Sequence, residues 1–323
     1  MDPVLKPTMA LYPIYMQDVP PHYTLQKAFE NNFDCFTFDW VNISRKQGLE
    51  KTQMQFLELL KERKPEYCFM QLQNPINMTV EVVREMAKHT KILNWSGDIR
   101  QTKEWYDWFE AIGREIHSTL FSNNTDVDIM RERGVAADYL QVGFDSGWYY
   151  KKPKIPGKPE IVFCCNDYGS FQLSQYRVDV VKALKSEFKD RFQIYGNGWS
   201  KHGINTRSVA NMEEADLYNS CKIAISVSNF RFKRYYSDRL LRIMACGSFP
   251  LSHDFEQMEL DFTEGQDIVT FKNVDELIEK CHYYLEHDEE RQGIADNAHA
   301  TAYGKCTWDI RCKELINLLS TSR

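Results

Sequence analysis

A chain of 323 residues with 43% hydrophobic side chains exceeds one ordinary domain and can give two domains of about 150 residues each a core. Its formal net charge of −6 argues against a surface built for non-specific polyanion binding, and no apolar run approaches the roughly 20 residues of a membrane span. Nine cysteines without a C-x-x-C pair, and a start over 1–7 lacking a charged region and a long apolar stretch, predict reduced thiols in a cytoplasmic protein without a signal peptide.

In chain order the pattern predicts a strand over Met9–Tyr15, a helix over Tyr23–Asn31 and a short strand over Cys35–Phe38. Leu49–Arg63 reads as an amphipathic helix with basic residues in its last turn. Strands over Tyr67–Leu72, Lys91–Trp95 and His117–Phe121 alternate with helices over Val80–His89, Trp105–Ile112 and Asp126–Arg133, the last closed by Gly134. A short strand over Tyr139–Val142 ends this half. Residues 151–159 hold three prolines, one glycine and four lysines, which predicts a linker between domains 1–150 and 160–305.

The second half repeats the alternation. Strands are expected over Glu160–Cys165, Phe192–Tyr195, Ala224–Val227, Phe249–Ser252 and Asp267–Thr270. Helices are expected over Gln175–Phe188, Met212–Asn219, Asp238–Ala245, Val274–Leu285, Glu289–Tyr303 and Trp308–Leu319, with the tail over 306–323 assigned to pack back toward the first domain. This predicts an α/β fold of two doubly wound parallel sheets facing across a cleft, with ligands at the carboxyl ends of the strands. No G-x-G-x-x-G follows the first strand, so a dinucleotide-dependent dehydrogenase lacks support.

The segment Tyr235–Leu251 lays out a loop, a helix start, a small-residue helix end, a glycine stop and an apolar strand. Ser237 or Asp238 is placed to cap the helix, whose N–H groups suit a diphosphate, and Arg239 adds a fork-shaped phosphate donor. The same residues also describe an ordinary capped helix with a surface arginine. Asp126-Val127-Asp128 is a D-x-D, which acidic residues in a helix first turn explain without a metal. Phe230-Arg231-Phe232-Lys233-Arg234-Tyr235-Tyr236 interleaves basic and aromatic residues, a composition suited to a nucleic acid or to a nucleotide's own diphosphate and base.

Ser237-Asp238-Arg239-Leu240-Leu241-Arg242-Ile243-Met244-Ala245-Cys246-Gly247 resembles the S-x-R-x-x-E-x-x-A-C-G pattern of the spore-maturation-type (CgeB-like) glycosyltransferases, relatives of the retaining GT-B group. Phe262–Val269 and Thr307-Trp308-Asp309-Ile310-Arg311 resemble later elements of that family, so the resemblance covers about the C-terminal half. It implies a hexosyl- or pentosyltransferase that binds a nucleotide-diphosphate sugar on the second domain, retains anomeric configuration and needs no metal or other cofactor.

Under that resemblance the donor contacts are Asn166, Tyr168, Gly169, Arg177, Tyr195, Gly196, Gly198, Ser237, Asp238, Arg239 and Arg242, with Tyr195 or Trp199 stacking on the base. Asp98 is the residue expected to orient or deprotonate the acceptor hydroxyl, while Asp18, His22 and Trp95 share the acceptor-side edge. The acceptor is a glycan, a small molecule or a hydroxymethylated base in DNA. One departure stands out: the wider group carries two glutamates eight residues apart where this chain has Arg234 and Arg242. That charge reversal keeps open a non-catalytic nucleotide-sugar or nucleic-acid binding module on the same fold.

Overall fold

The computed structural model describes residues 6–13, 23–98, 102–209 and 211–321, which form two compact units. Unit 1 begins with β1 (Thr8–Tyr12), α1 (Tyr23–Asn32), β2 (Asp34–Thr37), α2 (Trp40–Gln47), α3 (Leu49–Arg63) and β3 (Tyr67–Met70). It continues with α4 (Val80–Met86), β4 (Lys91–Ser96), α5 (Lys103–Gly113), β5 (Ser118–Phe121), α6 (Asn124–Glu132) and β6 (Ala137–Tyr139). The strands pair in the order β2-β1-β3-β4-β5-β6, every neighbour parallel. Helices cover both faces, so β3 is buried at every position and reads as an apolar run without alternation.

Side-chain caps set the helix starts. Thr79, Thr102 and Asn123 each accept a backbone N–H from the first turn of α4, α5 and α6. α2 was not anticipated, because it is only eight residues long and Gly48 closes it while opening α3. β6 starts two residues before the expected Tyr139, since Ala137 already pairs with Thr119.

Unit 2 spans Gly143–Thr307. It holds β7 (Ile161–Cys164), α7 (Ser174–Phe188), β8 (Phe192–Tyr195), α8 (Asn211–Ser220), β9 (Ile223–Ser226), α9 (Asp238–Ala245) and β10 (Phe249–His253). β11 (Val269–Phe271), α10 (Val274–Glu286) and α11 (Asp288–Lys305) follow. The order is β11-β10-β9-β7-β8, again all parallel. The core runs from Ile161 and Phe163 through Val181, Ile225 and Leu251 to Leu277.

Residues 143–159 cluster with unit 2. Lys152 N donates to Asn219 Oδ1 at 2.5 Å, Ile155 N to Ser220 Oγ at 2.9 Å, and Lys151 pairs with Asp296 at 2.7 Å. The proline- and lysine-rich stretch is therefore docked on the second unit. The last helix, α12 (Trp308–Thr321), belongs to unit 1. Its stripe of Trp308, Cys312, Leu315 and Leu319, at helical spacing, packs with Leu25, Ala28 and Phe29 of α1. Asn32 Nδ2 donates to Asp309 Oδ1 at 3.1 Å, and Arg311 Nε to the Val142 carbonyl at 3.3 Å. Among the described residues no helix is long and apolar enough to cross a membrane.

Candidate functional site

In unit 2 the chain leaves β7 for β8 on one side and returns past it to β9 on the other. The crevice outside the carboxyl ends of β7 and β9 is thus the topological switch point, where open parallel sheets bind ligands. Arg239, in the first turn of α9, spans it. Its Nε donates to the Cys164 carbonyl at 2.5 Å and its Nη1 to the Val227 carbonyl at 3.1 Å and Ser237 Oγ at 3.3 Å. Ser237 stands at the cap position, but its side chain makes no capping hydrogen bond, and Leu240 N turns back to the Ser237 carbonyl at 3.0 Å. An open helix start beside a guanidinium is an arrangement suited to a phosphate or diphosphate.

Three loops wall the crevice. In the loop after β7, Asn166 Oδ1 accepts Asn197 N at 2.8 Å, its carbonyl accepts Arg177 Nη2 at 3.0 Å, and its Nδ2 donates to Tyr168 OH at 3.3 Å. The Tyr168 ring is 56% exposed and lies 5.2 Å from that of Phe171. Asp167 accepts from Lys201 Nζ at 3.0 Å, His202 Nε2 at 2.7 Å and Gly169 N at 2.9 Å. Burial works to raise the Asp167 carboxyl, yet these hydrogen bonds hold it below the usual carboxylate range.

The glycines of the loop after β8 have a different task from the one expected. A Cβ on Gly196 would lie 2.0 Å from the Cys165 carbonyl oxygen, and one on Gly198 would lie 2.1 Å from that of Asp167. They let two protein loops touch. Nor do the expected stacking rings face a ligand. Tyr195 is 4% exposed under the Arg207 guanidinium, and Trp199 is fully buried with Nε1 donating to the Cys165 carbonyl.

The arginines separate into two kinds. Arg242 pairs with Asp238 at 2.5 Å and Glu214 at 3.1 Å, and its guanidinium lies over the Tyr149 ring. Glu214 also accepts Tyr149 OH at 2.6 Å and Tyr218 OH at 2.8 Å. Arg234 forks onto both oxygens of Asp261 at 2.9 and 2.7 Å. Both arginines at the glutamate positions are therefore neutralised within the protein, and Arg242 is not presented to a phosphate. Arg177 and Arg239 differ, for among the described residues neither pairs with a carboxylate. Arg177 is not open to direct contact from the crevice. It is buried, with Nη1 on Asn229 Oδ1 and Nη2 on the Asn166 carbonyl.

The basic–aromatic run is largely internal. Phe230, Phe232 and Tyr235 are buried, and Arg231 Nη2 donates to His253 Nε2 at 2.8 Å and Asp254 Oδ1 at 3.1 Å. Burial, reinforced by Arg231, lowers the His253 pKa to about 4 against the opposing pull of Asp254. An unfolded histidine takes its proton near about 6.5. The unfolded chain therefore binds more protons between these values, and the stability His253 contributes is complete above that window and lost as pH falls through it. Arg231→Ala should raise the His253 pKa, read from its ring resonances across an NMR pH titration.

In unit 1, Asp98 is exposed two residues beyond β4, at the carboxyl edge of that sheet. Trp95 does not reach this edge as a platform. It is 5% exposed, donates from Nε1 to the Leu140 carbonyl at 2.8 Å, and meets Trp308 edge-on at 5.8 Å. Asp18 and His22 lie outside the described residues. Asp126 of the D-x-D is buried and accepts from Tyr106 OH and Asn123 Nδ2, each at 2.7 Å. Among the described residues no cluster of three or more acidic, histidine or cysteine side chains is arranged to hold a metal ion.

The two-sheet architecture is that of the GT-B glycosyltransferases. The chain is similar to Anabaena Alr3699/HepE, solved in complex with UDP-glucose, with 11% identity, 97% of this chain and 100% of that one covered, and a TM-score of 0.68. It is equally similar to a glycosyltransferase from Rickettsia africae ESF-5, with 10% identity, 99% coverage of both chains and a TM-score of 0.69. Sucrose-phosphate synthase from Thermosynechococcus elongatus follows at 10% identity, 85% and 79% coverage and 0.59. These likenesses establish the fold. Residues 177–317, which include Arg177, Arg239 and α9, match the family described as glycosyl transferase-like. A search of curated proteins finds no significant match.

Proposed function

We propose that the protein transfers a sugar from a nucleotide-diphosphate sugar to an acceptor hydroxyl. The observation that carries this reading is Arg239 at the switch point of unit 2, beside an α9 start that the Ser237 side chain leaves uncapped. The sugar-nucleotide complex of the similar Anabaena protein supports a uridine diphosphate donor. Arg239 and the first-turn N–H groups stabilise the departing diphosphate without a metal. Asn166, Tyr168 and Gly169 form the adjoining wall. Retention of configuration, implied by the resemblance of 237–247, is read from the anomer of the product.

The acceptor hydroxyl is assigned to Asp98, whose carboxylate orients it or takes its proton. Asp98→Asn is expected to lower kcat for transfer by about 10²-fold while leaving donor affinity unchanged, checked by initial rates against donor titrations. A glycan or small-molecule acceptor fits better than DNA. The rings of the 230–236 run are mostly buried, and Lys151, Lys152, Arg231 and Arg234 are all held by carboxylates. The cytoplasmic location belongs to the same proposal and rests on nine free cysteines, eight of them buried.

The test is a donor panel. Purified protein with one nucleotide-sugar at a time is followed for a thermal shift and slow release of nucleoside diphosphate, with and without EDTA. Release from one donor, unchanged by EDTA, is the expected result. Binding without release from any donor would favour the non-catalytic module.

A further inference from the structure

Arg177 sits on α7 beneath the carboxyl ends of β7 and β9 and is 2% exposed. Its Nη groups donate to the Asn229 side-chain oxygen and the Asn166 carbonyl, and its Nε is buried without a hydrogen-bond partner. Every oxygen it meets is neutral. The Arg239 guanidinium is in the same position, bonded to two carbonyls and one hydroxyl. Both guanidinium carbons lie over one ring, Phe163, at 5.8 and 5.4 Å from its centroid. Glu214 and Asp238 hydrogen-bond Arg242 and also attract the Arg239 guanidinium through space, while Asp167 is held by Lys201 and His202, so Arg177 is left without a carboxylate. Buried charges are normally paired, because removing an ion from water is costly unless an opposite charge compensates it. Here two cations share one apolar ring, and of the two only Arg239 feels nearby carboxylates.

We infer that Arg177 is a positioning residue that acts on the donor through its charge. It ties the loops at Asn166 and Asn229 together without touching ligand. Its buried positive charge meets no carboxylate of the protein and is balanced when the donor's diphosphate arrives. The inference rests on the reading that a nucleoside diphosphate docks at Arg239 and the start of α9. A field from a buried group is weakly screened, so it strengthens anion binding even at high salt.

The experiment compares Arg177→Gln, which keeps a donor and removes the charge, with Arg177→Lys, which keeps the charge and removes the fork. UDP and inorganic pyrophosphate are the probes, titrated calorimetrically. The expected result is a loss of about tenfold or more for both probes in the Gln variant and of less than about threefold in the Lys variant. Equal losses in both variants would mean that only the loop ties matter and would overturn the inference. So would wild-type affinity in the Gln variant. Should the Gln variant fail to fold, the wild-type protein decides. Its UDP affinity should change by less than about threefold between 0.1 and 1 M salt, and a steep decline would overturn the charge argument. Wild-type protein that binds neither probe would defeat the donor reading, and this inference with it.

Discussion

Replacing Arg239 by alanine is expected to reduce sugar transfer by about 10²–10³-fold, the scale of one preorganised donor to charge that develops in a transition state. The same substitution removes the donor shared by the Cys164 and Val227 carbonyls, so stability should fall by about 1–3 kcal/mol. In a unit the size of Gly143–Thr307 that corresponds to roughly 2–4 °C of melting temperature per kcal/mol. Arg239→Lys separates the two effects, because lysine keeps the charge but cannot fork across two strand ends. It should hold more activity than the alanine variant while melting nearly as low. Initial rates at saturating donor, paired with thermal melts, make the check. A near-normal rate in the alanine variant would remove Arg239 from the chemistry.

Gly198→Ala should be among the most damaging small changes in unit 2. Its φ of 87° lies in the left-handed region, and the added Cβ would sit 2.1 Å from a backbone oxygen that cannot move alone. Strain and loss of the Asp167 N–H to Asn197 carbonyl bond together predict a loss of about 2–4 kcal/mol. Donor binding should weaken with it, since the displaced loop carries Asn166 and Tyr168. Gly169→Ala is the natural control. Its φ is 75°, but the nearest atom to the added Cβ is the mobile Lys201 Nζ, so about 1–2 kcal/mol is expected. Denaturant melts of the two variants side by side test the difference. Equal stabilities would mean that the contact with the Asp167 carbonyl is not the constraint.

The alternation of strands and helices was legible because its signals are local. Apolar runs, basic residues in the last turn of α3 and a glycine stop at Gly134 each act within a few residues. The segment around Arg239 was legible for the same reason: a loop, a helix start and a strand follow one another along the chain. What could not be read was which side chains point outward. Tyr195 and Trp199 flank a two-glycine loop whether they stack on a ligand or, as here, fill the core behind it. Trp95 ends a strand at the right edge, yet its ring turns inward to Trp308, far along the chain.

Charge partners were equally hidden. Arg242 meets Glu214 from 28 residues away, and Arg234 meets Asp261 from 27. Nothing in the spacing marks either pairing. Both arginines at the two glutamate positions are paired with carboxylates of the protein itself.

The most direct test of the account is a crystal structure of the wild-type protein with the nucleoside diphosphate released in the donor panel. The diphosphate should lie at the carboxyl ends of β7 and β9, within hydrogen-bonding reach of Arg239 and the first N–H groups of α9, with Arg242 still held by Glu214. A diphosphate bound elsewhere on unit 2, or one that draws Arg242 away from Glu214 while leaving Arg239 untouched, would contradict it.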